Sequence, residues 1–158
     1  MDTDEIEEKL HSFLKENAIE VKVPRERRIF VRIKKESFKE VVEYLVNNLG
    51  FKHLSTITGL DLGKEIELLY HLAHEGAIEL SLGLSIHKDE ARIPTITDLM
   101  PGAVLYEREV HDLFGVKFEG HPDLLPLVLP EGWPQGVYPL RKEHTLDELR
   151  EIMSKKWG

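Results

Sequence analysis

Between Glu75 and Lys88 the chain carries Ile78, Leu80, Leu82, Leu84 and Ile86, five apolar residues at strict period two. Only a strand with one face against a core keeps such residues on one side, so this stretch commits the fold to a half-buried sheet. Upstream, Ile66, Leu68, Tyr70 and Leu72 alternate with Glu65, Glu67, Leu69 and His71 after a turn at Asp61-Leu62-Gly63. Ile19, Val21 and Val23, then Ile29, Val31 and Ile33, alternate on either side of Arg25-Glu26-Arg27-Arg28, which reads as a turn. Antiparallel strands joined by short turns are the expected arrangement.

Helical periods fall between these strands. Asp2 and Glu5 form an N-terminal capping pattern for a helix to about Asn17 with Ile6, Leu10, Phe13 and Leu14 on its core face. Ser37 and Glu40 predict a second capping box, followed by Phe38, Val41, Val42, Leu45, Val46 and Leu49 until Gly50. Pro94 ends the sheet region, Thr97 to Pro101 reads as a short helical turn, and a third helix spans Ala103 to Phe114, stopped by Gly115. The fold class expected is α+β, a mostly antiparallel sheet packed under helices.

With 158 residues the chain can bury one core. A formal charge of −8 argues against a nucleic-acid partner, since neutralising phosphates needs clustered Lys and Arg. No apolar run approaches the roughly 20 residues that span a bilayer, and the amino terminus is acidic where a signal peptide would be basic. The expectation is a soluble protein of the cytoplasm, or one held at a membrane only through partners. Zero cysteines remove thiolate chemistry, disulfides and iron–sulfur ligation at once. Any cofactor of that kind belongs to another chain.

The densest chemistry lies in Tyr106 to Leu125. Glu107 and His111, and Arg108 and Asp112, stand four apart, so each pair shares a helix face. Paired charges on a surface helix account for this pattern, and so does a charged surface for a partner. The same stretch allows a metal-dependent hydrolase to be imagined on Glu107, His111, His121 and Asp123, but Glu-x-x-x-His lacks the second histidine of a zinc helix. His71 and His74, three apart on a strand, point to opposite faces and do not share an ion.

Beyond Gly120 the composition changes. Pro122, Pro126, Pro130, Pro134 and Pro139 exclude an interior helix or central strand, while Leu124, Leu125, Leu127, Val128 and Leu129 are as apolar as one. Such a segment either wraps its own domain or forms an extended arm on a neighbouring subunit. Trp133 and Tyr138 add rigid aromatic anchors, and Thr145 with Glu148 caps a final helix bearing Leu146, Leu149, Ile152 and Met153. Residues 1–120 read as the α+β domain, and 121–158 as a proline-rich interface arm with a C-terminal helix.

Four blocks in this order, Glu107-Arg108-Glu109, Asp112-Leu113-Phe114-Gly115, Gly120-His121-Pro122-Asp123-Leu124 and Pro139-Leu140-Arg141-Lys142, resemble the signature of the 30 kDa subunit of respiratory complex I. The same subunit type occurs in membrane-bound nickel–iron hydrogenases and their sulfur-reducing relatives. Leu125 and Pro126 stand where that family usually has two basic residues, and His111 where many members have Tyr. The first departure removes any polar contact those bases would make; His111 and the modest chain length favour the hydrogenase-like branch over the corresponding subunit of an NADH- or ferredoxin-linked quinone oxidoreductase.

The resemblance implies a non-catalytic subunit of a peripheral redox arm on the cytoplasmic side of the membrane, packed against the large subunit and near the iron–sulfur subunit. A nickel–iron centre and iron–sulfur clusters would lie in those partners, with ion-translocating membrane subunits reached only indirectly. No catalytic, metal or cofactor residue is assigned in this chain. Glu107, Arg108, Glu109, Asp112, Phe114, Gly115, His121, Pro122, Asp123, Trp133, Arg141 and Lys142 are the expected interface and signature residues. Substituting Glu107 or Arg108 is accordingly expected to damage assembly more than the fold. A stand-alone binding domain is the rival of another class.

Overall fold

The computed structural model describes all 158 residues. Helix α1 (Thr3–Leu14) starts at Asp2, whose carboxylate accepts the Glu5 amide at 2.9 Å while the Glu5 carboxylate accepts the Asp2 amide at 3.2 Å. Ile6, Leu10 and Leu14 are buried beneath it, and Phe13 stacks on Tyr44 with ring centroids 3.8 Å apart. Strands β1 (Ala18–Arg25) and β2 (Arg28–Ile33) form a hairpin turning at Glu26 and Arg27. Pro24 lies within β1, which an edge strand with a register slip between Lys22 and Arg25 accommodates.

Helix α2 (Phe38–Asn47) buries Phe38, Val41, Val42, Leu45 and Val46 as its period requires. Its expected capping box does not form, because Ser37 has helical torsions and its hydroxyl donates to the Lys34 carbonyl at 2.9 Å. Strands β3 (His53–Asp61), β4 (Glu65–His74) and β5 (Ile78–His87) then run as an antiparallel meander.

The five strands are ordered β1-β2-β5-β4-β3, and the central pair, β2 with β5, is parallel from Arg28↔Glu79 to Arg32↔Gly83. The sheet is mostly antiparallel as expected, and the one parallel pair has a physical reason. Alternation reports which face a side chain takes and is the same for either strand direction, so Ile29 beside Leu80 and Val31 beside Leu82 serve the core equally well. The core joins these residues to Leu68, Tyr70, Phe38 and Leu45 in a single apolar cluster.

A second, two-stranded parallel sheet pairs β6 (Arg92–Pro94) with β7 (Lys117–Glu119) across helix α3 (Ala103–Phe114). Sequence alone ends the sheet at Pro94; three-residue strands are too short to display a period, and Pro94 closes β6. Helix α3 crosses β3 so closely that a Cβ on Gly59 would come within 2.6 Å of the Phe114 ring. Residues 120–145 contain turns and bends but no helix or strand, and helix α4 (Leu146–Trp157) closes the chain with Thr145 Oγ1 accepting the Glu148 amide at 3.2 Å.

Candidate functional site

Helix α3 is amphipathic in the usual sense only along part of its length. Val110 and Phe114 face the core, but Glu107 at 0% and Asp112 at 4% exposure are buried with them. Buried carboxylates need donors, and the helical pairs expected from spacing do not supply them. Glu107 Oε1 accepts the Ile96 amide at 2.8 Å, Oε2 accepts the Thr95 hydroxyl at 2.6 Å, and the His121 ring nitrogen Nε2 stands 3.9 Å from Oε2. Burial pushes the Glu107 carboxyl above its ordinary value despite these hydrogen bonds. The nearby Tyr70 hydroxyl is buried without a hydrogen-bond partner, and burial, followed by the Glu107 charge, raises it well above the usual phenol range.

His121 is 1% exposed at its side chain. Its Nδ1 accepts the Asp123 amide at 2.9 Å, which leaves Nε2 as the protonated nitrogen donating to the Val104 carbonyl at 3.0 Å. This fastens the Gly120–Asp123 turn to the first turn of α3. His111 faces elsewhere, its Nδ1 donating to the Val116 carbonyl at 2.8 Å. Glu107, His111, His121 and Asp123 therefore do not converge, and no three His, Asp or Glu groups stand close enough to share a metal ion.

The next turn of α3 organises the irregular tail. Asp112 Oδ2 accepts three consecutive amides, from Leu127, Val128 and Leu129, at 2.9, 2.8 and 3.2 Å. Arg108 donates from Nε to the Leu125 carbonyl at 2.9 Å and from a terminal nitrogen to the Pro126 carbonyl at 2.8 Å. The backbone of 125–129 is thus held inward by polar groups while Leu125, Leu127 and Val128 stay 60%, 42% and 51% exposed. The tail packs Leu124 against the core and is otherwise held mainly through its backbone.

A second attachment lies after Pro139. Arg141 Nε donates to the Phe114 carbonyl at 2.6 Å, its guanidinium stands 4.9 Å from the Tyr138 ring centroid, and the Leu140 amide donates to the Leu113 carbonyl at 3.0 Å. Gly115, at φ 72°, ends α3 in the left-handed region, and the Tyr138 ring occupies the space a Cβ would fill. Asp61, absent from the sequence-derived set, completes this attachment. Its Oδ2 accepts from the Lys142 amide at 2.8 Å and Lys88 Nζ at 2.6 Å, and Oδ1 accepts the Gly63 amide at 2.8 Å. Burial opposes ionisation, but those donors outweigh it and hold the carboxyl at about 2. Lys88 also reaches Glu143 at 3.0 Å. In the sequence Asp61 is one member of an Asp-Leu-Gly turn, and nothing local marks a partner 81 residues away.

The remaining predicted residues lie at the surface. Glu109, Pro122 and Asp123 are exposed, as is the Lys142 side chain. Trp133 is half-buried, donating from its indole nitrogen to the Val137 carbonyl at 2.7 Å and stacking on Trp157 of α4 with centroids 6.0 Å apart. Apart from that stack, a bond from Lys156 to the Gly132 carbonyl and its N-terminal cap, little holds α4, and none of its residues is buried.

A family model described as the 30 Kd subunit of respiratory-chain NADH dehydrogenase matches residues 31–150. The chain is 38% identical over 120 residues to the C subunit of the F(420)H(2) dehydrogenase of Methanosarcina mazei, spanning 74% of this chain and 75% of that protein. It is 34% identical over 120 residues to the beta subunit of the membrane-bound hydrogenase of Pyrococcus furiosus, spanning 73% and 69%. Among solved structures, a chain of the membrane-bound sulfane sulfur reductase, an archaeal respiratory membrane complex, superposes with a TM-score of 0.83 at 33% identity over 97% of this chain and 90% of that one. A trypsin-resistant fragment of Nqo5 superposes with a TM-score of 0.66 at 28% identity, covering 78% of this chain and 100% of the fragment.

Proposed function

The chain belongs to the 30 kDa subunit family of respiratory-chain NADH dehydrogenases, and from that premise we propose that it is a non-catalytic structural subunit of a complex I-like assembly. It supports the large subunit and an iron–sulfur subunit of the peripheral arm, on the cytoplasmic side of the membrane, in a hydrogenase-like or sulfane sulfur reductase-like complex. The nickel–iron and iron–sulfur centres reside in those partners. No helix of this chain is long and apolar enough to cross a membrane, so its place at the membrane comes through other subunits. The exposed signature residues Glu109, Asp123 and Lys142 are its partner contacts.

One observation carries this reading. Helix α4 has four apolar residues on one side, yet Leu146 is 70% and Met153 52% exposed, with Trp157 at 45% beside them. Short helices are marginal in water unless an apolar face is covered, and here the chain covers that face only in part, leaving Leu149 and Ile152 half-buried and the rest exposed. The likeness in shape to the sulfane sulfur reductase chain favours that branch. The identity of 37% over 124 residues to the C subunit of the NADH-quinone oxidoreductase of Roseiflexus favours a second reading, a quinone-linked complex.

Removing Thr145 to Gly158 tests the proposal. The truncated chain is expected to keep the sheet's circular dichroism and melting temperature while its co-purification with partner subunits falls at least tenfold. Undiminished co-purification, or substrate turnover by the isolated chain, would overturn it. The identity of the co-purifying subunits separates the two readings.

A further inference from the structure

We propose that Arg108 and Asp112 are internal positioning residues, and that the segment they hold, Leu125 to Leu129, is a preformed apolar plug for a basic-rimmed cleft on a partner subunit. This rests on the structural-subunit reading above. It assigns the two signature charges a role opposite to the expected one, since they meet the chain's own backbone and not a partner.

Three features lead to the plug. The amides of Leu127, Val128 and Leu129 all point at one oxygen of Asp112, and Pro126 has no amide to offer. A partner strand therefore finds no free donor from Pro126 to Leu129, which disfavours recognition by adding a strand to this edge. The carbonyls of Leu125 and Pro126 are likewise engaged by Arg108. The side chains the segment presents are apolar: Leu125, Leu127 and Val128, each at least 42% exposed. A carboxylate that gathers three successive amides imposes this inside-out arrangement, because the backbone must turn its polar edge to α3 and its side chains to the outside.

The charge around the plug identifies the chemistry of the cleft. Asp123 and Glu131 bracket the segment in sequence, both exposed and neither carboxylate hydrogen-bonded or ion-paired within the chain. The bracketed stretch has no charged residue. An apolar cleft with Lys or Arg at its rim meets both features, and the pre-set backbone spares the partner the ordering of a flexible loop.

The test places a photo-crosslinking amino acid at position 128 of the full-length tagged chain in the intact complex. The expected product joins Val128 to one other subunit, at an apolar stretch neighboured by Lys or Arg. The double variant Asp123→Lys with Glu131→Lys should lower that crosslink yield at least tenfold, and so should Leu127→Asp with Val128 labelled. In the isolated chain, Asp112→Ala should speed amide exchange of residues 127–129 at least tenfold with the exchange of β4 and β5 unchanged, and Leu127→Asp should leave it slow. Crosslinks only within the chain, a partner site without basic residues, or unaltered exchange in Asp112→Ala would each overturn the proposal. Should the unmodified chain join no other subunit at all, the structural-subunit reading itself falls, an outcome distinct from an assembled complex lacking the crosslink.

Discussion

Glu107 is an ionisable group held away from water by its own helix, and its two oxygens are divided between a backbone amide and a hydroxyl. Replacing it by Ala strands the Ile96 amide and leaves a void, a change worth about 3 kcal/mol. Glu107→Gln keeps the acceptor for Ile96 and lets the Thr95 hydroxyl turn to Thr97, whose oxygen is 2.9 Å away, while removing the cost of a buried charge. The Ala variant is therefore expected to melt roughly 6–12 °C lower and the Gln variant within a few degrees of the parent in a thermal scan. Equal losses would show that the charge itself stabilises the site. Because Glu107 is fully buried, the Ala variant is a folding defect in its own right, and the expected effect on assembly is to be read from Glu107→Gln. Spacing at positions 107 and 111 could not reveal this, because the donors come from Thr95 and Ile96 on the preceding loop.

At the scale of elements, α3 was legible in its bounds: it runs from Ala103 to Phe114 and stops at Gly115 as expected, while the burial of Glu107 and Asp112 on it was not legible. The tail was legible only by exclusion. Prolines ruled out regular structure, but the two fastenings depend on Asp112 reaching 15 to 17 residues ahead and Asp61 reaching 81. The Asp61 fastening has a pH signature. Its folded value of about 2 lies below the ordinary 3.8, so folding favours the carboxylate. The stability it contributes is whole above about pH 4 and is lost as pH falls towards 2. Acid titration followed by amide exchange should release residues 140–143 in that window, and Asp61→Asn should abolish the transition. A tail that loosens at the same pH in that variant would refute the assignment.

For the molecule as a whole, alternating strands and helix periods specified the α+β class and the core residues of α1, α2, β2, β4 and β5, but not those of β3, such as Leu54 and Ile57, or of the β6–β7 layer, such as Ile93 and Phe118, and strand direction lay outside what periodicity encodes. The central parallel pair joins Arg28 to Glu79, in two strands separated by a helix and two strands of the meander. Contacts so distant along the chain cost loop-closure entropy before they return anything. Pulse-labelled exchange during refolding should find β4 and β5 protected before β1 and β2; simultaneous protection would contradict this. On a ribosome the consequence is a waiting period. The β1–β2 hairpin emerges before β5 but has no berth until residue 87 has cleared the exit tunnel, so the strands of the sheet made first are the last to be seated.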